Sequence, residues 1–265
     1  MSQLKLNHVT DAETADFRWK SLYKVGGTTA LIVVLVGLME IFITFLPGGG
    51  GTGPGTVTVI DWFTLFQNNW FLGLRNLGLM NIIMTALMVP MFFALYAAHR
   101  QVNKAYGALA MILFFLGVAV YIANNTAFPM LTLSGQYAAA TTESQKSLLV
   151  AAGEAMLAMG QSHSAGTFMG LFFSEVAAIV ISIVMLRGRI FSRLTALVGI
   201  TGFVLLLIFE ICSSFVPALF DVAMIFAMSG GLLSMAWHIL IARRLFQLGR
   251  LEKKITVEKQ GATLP

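Results

Sequence analysis

Long apolar runs separated by short polar segments dominate this sequence. An α-helix rises 1.5 Å per residue, so about 20 apolar residues are enough to cross the ~30 Å hydrocarbon core of a bilayer. Six runs reach that length, and we expect each to be a transmembrane helix. They lie at about residues 25–46, 75–97, 105–128, 166–186, 194–217 and 220–242.

Two of the connections have helical patterns of their own. In residues 59–71, aromatic side chains alternate with polar ones at near-helical spacing, and Trp62 and Trp70 are typical of the headgroup boundary. This pattern predicts a helix lying in the membrane interface. In residues 143–159 the apolar side chains form one stripe. Thr142 and Gln145 make a capping-box pattern at the start of this segment. An amphipathic helix is therefore expected here, on the outer side of the membrane. The glycine-rich segment 47–56 predicts a loop.

Composition supports a membrane protein. The chain is 57% hydrophobic and 11% charged, whereas a soluble domain carries about 25% charged residues. The expected fold class is therefore all-α: a polytopic membrane protein with a bundle of six transmembrane helices. Residues 1–24 are expected to form a cytoplasmic tail, residues 25–242 the transmembrane domain, and residues 243–265 a basic cytoplasmic tail.

The basic residues indicate the orientation of this bundle. If successive connections alternate between the two sides, all of the 17 lysines and arginines except Arg75 and Lys146 fall on one side. Lysine and arginine are enriched in cytoplasmic loops, so both termini are expected in the cytoplasm. We therefore interpret the excess of basic residues, and with it the net charge of +5, as a signal of membrane orientation. We therefore expect the lipid bilayer, and no nucleic acid, as a partner.

Several polar side chains lie inside the predicted spans. Measured at 1.5 Å per residue from the outer end of each span, their depths are between ~7 and ~13 Å. An ionisable residue within the membrane is a functional-site hypothesis by default, so these groups form the predicted binding site for a ligand or cation. They are Glu40, Asn81, Asn124, Glu175 and Glu210, followed by Ser213 and Ser214 on the helical face of Glu210.

Three carboxylates at one depth would repel each other and would each be costly to desolvate. Protons, a bound cation or Arg75, as a candidate charge partner, could neutralise them. A metal held by Glu40, Glu175, Glu210 and His163 is the sharpest alternative, although no metal-binding motif is present. A less favoured alternative is a heme between His99 and His238. The structural alternative is protonated acids that bond neighbouring helices together. No cofactor is identified by the sequence.

Three segments resemble a bacterial membrane family called domain of unknown function 4386. They are YAAHRQVNKAYGALAM at 96–111, GTFMGLFFSE at 166–175 and RIFSRLTALVGITGF at 189–203. Ser192 stands where the family usually has a proline before arginine. The resemblance implies a compact bundle of about six spans in a bacterial inner (plasma) membrane, and no catalytic residue carries over from it.

The function expected from these features is binding of a small or amphiphilic ligand, or of a cation, in an acidic cavity in the outer half of the bundle. Proton-coupled transport is one form of that function. A membrane-embedded enzyme acting on a lipid-borne substrate and an accessory subunit without a site remain alternatives. The sequence does not decide between these functions, and it does not indicate the oligomeric state.

Overall fold

A computed structural model describes residues 19–44, 57–161 and 163–250. The predicted loop at 47–56 and most of both predicted tails therefore lie outside the described residues. The described residues form ten α-helices and one 3-10 turn at Pro217–Leu219. In chain order the α-helices are α1 (Lys20–Thr44), α2 (Val59–Asn68), α3 (Trp70–Asn76), α4 (Leu79–His99), α5 (Lys104–Asn124), α6 (Ala127–Ala139), α7 (Glu143–Gly160), α8 (Phe168–Gly188), α9 (Arg193–Phe215) and α10 (Phe220–Arg250).

The six predicted spans are confirmed as helices α1, α4, α5, α8, α9 and α10. Each is long and apolar enough to cross a membrane. They form a ring in chain order, in which each span packs against the next and α10 returns to pack against α1. A core of buried side chains, including Phe92, Phe114 and Trp237, fills the inside of the ring. Many large apolar side chains, such as Leu35 and Ile225, remain exposed on the outside, as lipid contact requires.

One end of the ring is basic. The end of α4 contacts the turn after α8: the ring of His99 stacks on Phe191 with centroids 5.3 Å apart. Arg244 of α10 donates from Nε to the main-chain oxygen of Ile190 at 2.7 Å, which brings the end of the last span to the same level. The described chain therefore begins and ends at one end of the bundle, called here the basic end.

The opposite end is covered by a cap, which we define as helices α2, α3, α6 and α7. These helices pack on one another around a second buried core that includes Trp62, Phe63 and Met130. The helix predicted at 59–71 is divided at Asn69, whose backbone leaves the helical conformation and whose side chain accepts from the N–H of Leu72. The helix predicted at 143–159 corresponds to α7, and Thr142 caps it through the N–H of Gln145.

Helix α6 has no counterpart in the sequence prediction, where Pro129 marks the end of the third span. The structure instead breaks the chain at Asn125, whose Nδ2 donates to the main-chain oxygen of Leu77 at 2.9 Å. The Oδ1 atom of Asn125 accepts from the N–H of Ala127 and so starts α6. Pro129 then falls in the first turn of α6, where a missing N–H removes no helical hydrogen bond.

Candidate functional site

The three glutamates of the spans divide into two separate groups. Glu40 on α1 faces Arg75 of the cap, with Nη2 and Oε2 2.8 Å apart. Arg75 also donates from Nε to Oε2 at 3.0 Å and from Nη2 to the main-chain oxygen of Glu40 at 3.1 Å. Helix α1 does not neighbour α8 or α9 in the ring, which carry the other two acids. The charge of Glu40 is thus balanced within its own ion pair.

Glu210 on α9 is joined to His163, which lies in the connection between α7 and α8. The imidazole Nδ1 donates to Oε1 of Glu210 at 2.7 Å. The side chain of Glu210 is 4% exposed, whereas that of His163 is 35% exposed. The ring of His163 also packs against Phe209, with centroids 4.9 Å apart. His163 therefore connects a buried carboxylate with the edge of the protein.

The connection that carries His163 is held by its own hydroxyl groups. Ser164 donates from Oγ to the main-chain oxygen of Gln161 at 2.6 Å, and Thr167 donates to the same oxygen at 3.1 Å. Asn124, at the end of α5, donates from Nδ2 to the oxygen of Gly166 at 3.0 Å. These bonds fix the turn from both sides and so set the position of the imidazole.

Backbone geometry also contributes to this position. His163 has a φ of 58°, in the left-handed region that non-glycine residues rarely adopt. A Cβ on Gly166 would meet the main-chain oxygens of Met159 and Ala158, so the chain crosses the end of α7 at a distance only glycine permits. The turn is therefore a tight reversal with His163 at its bend.

Glu175 on α8 is the second acid near Glu210. It is 8% exposed and lies on α8, which packs directly against α9, the helix that carries Glu210. Within the described residues, Oε2 of Glu175, Oε2 of Glu210 and Oγ of Ser214 are buried without a hydrogen-bond partner. Ser213 donates to the main-chain oxygen of Glu210 at 3.3 Å. Two neighbouring spans thus offer polar oxygens with unused bonding capacity.

The pKa of His163 depends on its burial and on its contact with Glu210. Burial disfavours the imidazolium and on its own would lower the pKa of His163. The negative charge of Glu210 and the hydrogen bond to it act in the opposite direction and together raise the pKa above the ordinary value of 6.5. The imidazolium is therefore favoured next to Glu210, and the pair is an ion pair over a wider pH range than an isolated histidine would allow.

The remaining candidate residues, Asn81, His99 and His238, take part in hydrogen bonds within their own helices. Asn81 is on α4, where its main-chain oxygen accepts from the hydroxyl of Thr85 at 2.8 Å. His99 and His238 donate from Nδ1 to carbonyl oxygens of their own helices, those of Leu95 and Ser234. In the described part of the chain, no three His, Cys, Asp or Glu side chains are grouped so that they could hold a metal ion.

A model of a known protein family matches the chain. The model described as Domain of unknown function (DUF4386) matches residues 66–242, which is more than half of the chain. The chain belongs to this family. No curated protein and no solved structure matches it.

The part of the chain that matches the DUF4386 model runs from the second half of α2 to α10. It includes Arg75, His163, Glu175 and Glu210, whereas Glu40 precedes it. The sequence pattern indicated the acids and His163 but not the side chains that position the imidazole, namely Ser164, Thr167 and Phe209. The dense small and polar residues of Ser164–Thr167 were the available signal for a tight turn.

The cap of this DUF4386 member also carries a surface groove of about 450 Å³ between α2 and α7. Its lining is apolar apart from Thr58 and Glu154, and it includes none of the acids of the spans. The groove is therefore separate from the site formed by His163, Glu175 and Glu210, which we call the acid site.

Proposed function

We propose that this protein binds a small or amphiphilic cation at the acid site and couples that binding to proton release, as in proton-coupled transport. The observation that carries the proposal is the placement of two buried carboxyl groups on adjacent spans, with a single imidazole in contact with one of them. The membrane proposed is the bacterial plasma membrane, with the basic end in the cytoplasm.

Charge balance at the acid site supports this proposal. Two ionised carboxylates in a medium of low dielectric constant require two positive charges, because desolvation costs several kcal/mol per ion. His163 supplies one of them when it is protonated. The second carboxyl group must then hold a proton or face a cation. A proton and a cation that compete for one position exchange for each other, and this competition is the physical basis of coupling.

The hydrogen bonding of Glu175 and Glu210 supports a site at which a proton and a cation can replace each other. Each acid keeps one carboxyl oxygen buried without a hydrogen-bond partner in the described part of the chain. An acid that served only to join helices would be expected to use both oxygens, because an unpaired buried polar atom costs about 1–3 kcal/mol. Glu40, by contrast, is bound by Arg75 through several contacts, so we leave it out of the proposed site.

Transport can be tested in proteoliposomes that contain the full-length protein and are acidic inside, with acridine orange as the reporter of the pH gradient. Sodium, potassium or tetraethylammonium chloride is then added outside. We expect at least one of these cations to dissipate the gradient, and we expect Glu175→Gln and Glu210→Gln to abolish that effect.

The matched control is Glu154→Gln, which neutralises an exposed acid on α7 and should leave the response unchanged. Dissipation of equal size in the wild type and in both span variants would contradict the proposal. A lack of response to all three cations would contradict the proposal that the protein is a proton-coupled transporter.

A further inference from the structure

The charges of the described residues are separated along the axis of the bundle. The seven acids, Glu40, Asp61, Glu143, Glu154, Glu175, Glu210 and Asp221, all lie in the capped half. The one arginine and the one lysine of that half are paired, Arg75 with Glu40 and Lys146 with Glu143. The lysines and arginines of the basic end are Lys20, Lys24, Arg100, Lys104, Arg187, Arg189, Arg193, Arg243, Arg244 and Arg250. In the described part of the chain, the basic end therefore has no acidic counter-charge.

Part of this charge is concentrated on two turns that contact each other. We call them the paired turns: Arg100–Asn103 between α4 and α5, and Arg189–Ser192 between α8 and α9. A Cβ on Gly188 would lie 3.3 Å from Cδ2 of His99 and 3.4 Å from Cγ1 of Val102, so the backbone at Gly188 packs against side chains of the other turn and its neighbour. The turns and the residues beside them bring Arg100, Lys104, Arg187 and Arg189 to one side of the ring.

Three of these cations have side chains available to a ligand. Lys104, Arg187 and Arg189 are exposed, and none of them forms a side-chain hydrogen bond or ion pair within the described part of the chain. Arg189 also has a φ of 53°, a left-handed conformation that glycine adopts most easily. The position thus holds a charged side chain where the backbone alone would favour glycine, which points to a role for the guanidinium.

Exposed apolar side chains surround the paired turns. Val102 is 52% exposed, Tyr106 54% and Leu194 61%. Guanidinium groups next to lipid-facing apolar side chains match an amphiphile with an anionic head and acyl chains. An acidic protein segment or a nucleic acid would use the charges and leave the apolar surface unused.

We propose that the paired turns bind the headgroup of an anionic phospholipid, with Arg187 and Arg189 on its phosphate and Val102, Tyr106 and Leu194 along its acyl chains. Arginine suits this role because its planar guanidinium donates two parallel hydrogen bonds to phosphate oxygens. This site is independent of the acid site and of the transport proposal.

The test uses the full-length protein in detergent, with lipid binding followed by the thermal unfolding midpoint during titration with phosphatidylglycerol. Phosphatidylcholine with the same acyl chains and inorganic phosphate are titrated in parallel. We expect phosphatidylglycerol alone to raise the midpoint. Arg187→Gln with Arg189→Gln should weaken its binding about 25-fold, since each cation near an anionic surface contributes about a five-fold factor.

The control double variant, Arg243→Gln with Arg250→Gln, removes the same charge from exposed positions of α10 at the same end. It should change phosphatidylglycerol binding much less. An equal loss in the two double variants would overturn the proposal in favour of a diffuse charge effect. Equal stabilisation by phosphatidylcholine or by inorganic phosphate would overturn it as well.

A further variant separates the role of the charge from folding. Arg189→Gly suits the left-handed backbone, so the unfolding midpoint without lipid should not fall, while phosphatidylglycerol binding weakens about five-fold. Unchanged binding in this variant would rule out Arg189 as a ligand of the headgroup.

Discussion

Arg75 and Glu40 join the cap to the first span through a partly buried ion pair with Nη2 and Oε2 2.8 Å apart. The side chain of Arg75 is only 4% exposed, so its charge depends on Glu40 for compensation. Nη1 of Arg75 also donates to Oδ1 of Asn76 at 3.0 Å, which fixes the guanidinium plane. The arrangement holds α3 against α1 at the mouth of the bundle.

Removal of both partners of this pair should cost less than the two single removals added together. Arg75→Gln or Glu40→Gln leaves a charge without its partner, and we expect a loss of roughly 2–4 kcal/mol in unfolding free energy. The double variant should lose less than the sum of the two single losses. Chemical denaturation of the four proteins in one detergent measures this coupling energy, and strictly additive losses would show that the pair contributes no coupling.

The contact between His163 and Glu210 predicts a pH dependence of stability. The pKa of His163 is raised in the folded protein, so the contribution of the pair is fully present below the ordinary value of 6.5 and is lost as the pH rises through the folded-state pKa. The unfolding midpoint of the wild type should therefore fall as the pH rises above about 6.5.

The His163→Gln variant should have a flatter profile over the same range, because it has no imidazole to titrate. Glu210→Gln should flatten it as well, because the imidazolium loses its partner. Midpoints measured at half-unit steps of pH check both expectations, and parallel slopes in the wild type and His163→Gln would disprove this assignment.

Adjacent glycines on α10 should respond in opposite ways to alanine. A Cβ on Gly230 would lie 2.9 Å from the main-chain oxygen of Gly202 and 3.0 Å from Cγ of Leu206, so Gly230→Ala pushes α10 away from α9. We expect a loss of about 1–3 kcal/mol from this overpacking. Gly231 has open space where its Cβ would lie, so Gly231→Ala should be neutral or stabilising. Thermal melts of the two variants compare them directly, and equal losses would contradict the close contact.

The orientation of the bundle can be tested with reporter fusions. The described chain begins and ends at the basic end, and we expect that end in the cytoplasm. Green fluorescent protein fused after Pro265 should fluoresce, and alkaline phosphatase inserted after Lys146 should be active, because that enzyme needs an extracytoplasmic location. The opposite pair of results would reverse the orientation and place the cap in the cytoplasm.

The spans were predictable because the physical constraint is local: hydrocarbon thickness fixes the length of each apolar run. Helix α6 was missed for an equally local reason. Pro129 signals a break in a sequence pattern, but at the first turn of a helix it is compatible with helix formation, and the break is made by Asn125 instead.

The grouping of the acids could not be predicted, because it depends on which spans become neighbours. Similar depths suggested that Glu40, Glu175 and Glu210 form one layer, but the ring separates α1 from α8 and α9. The contact of His163 with Glu210 joins residues 47 positions apart and depends on a left-handed turn. Neither feature leaves a periodic pattern in the sequence.

The ring of spans in chain order has a consequence for biosynthesis. Each new span can pack on the one inserted just before it, so most of the bundle can assemble as the chain emerges from the ribosome. The exception is α1, whose face toward α10 stays in contact with lipid until the last span is inserted. A chain that stops after α9 would enter the bilayer as an open arc with two unpaired helix faces, and completion of the last span closes it.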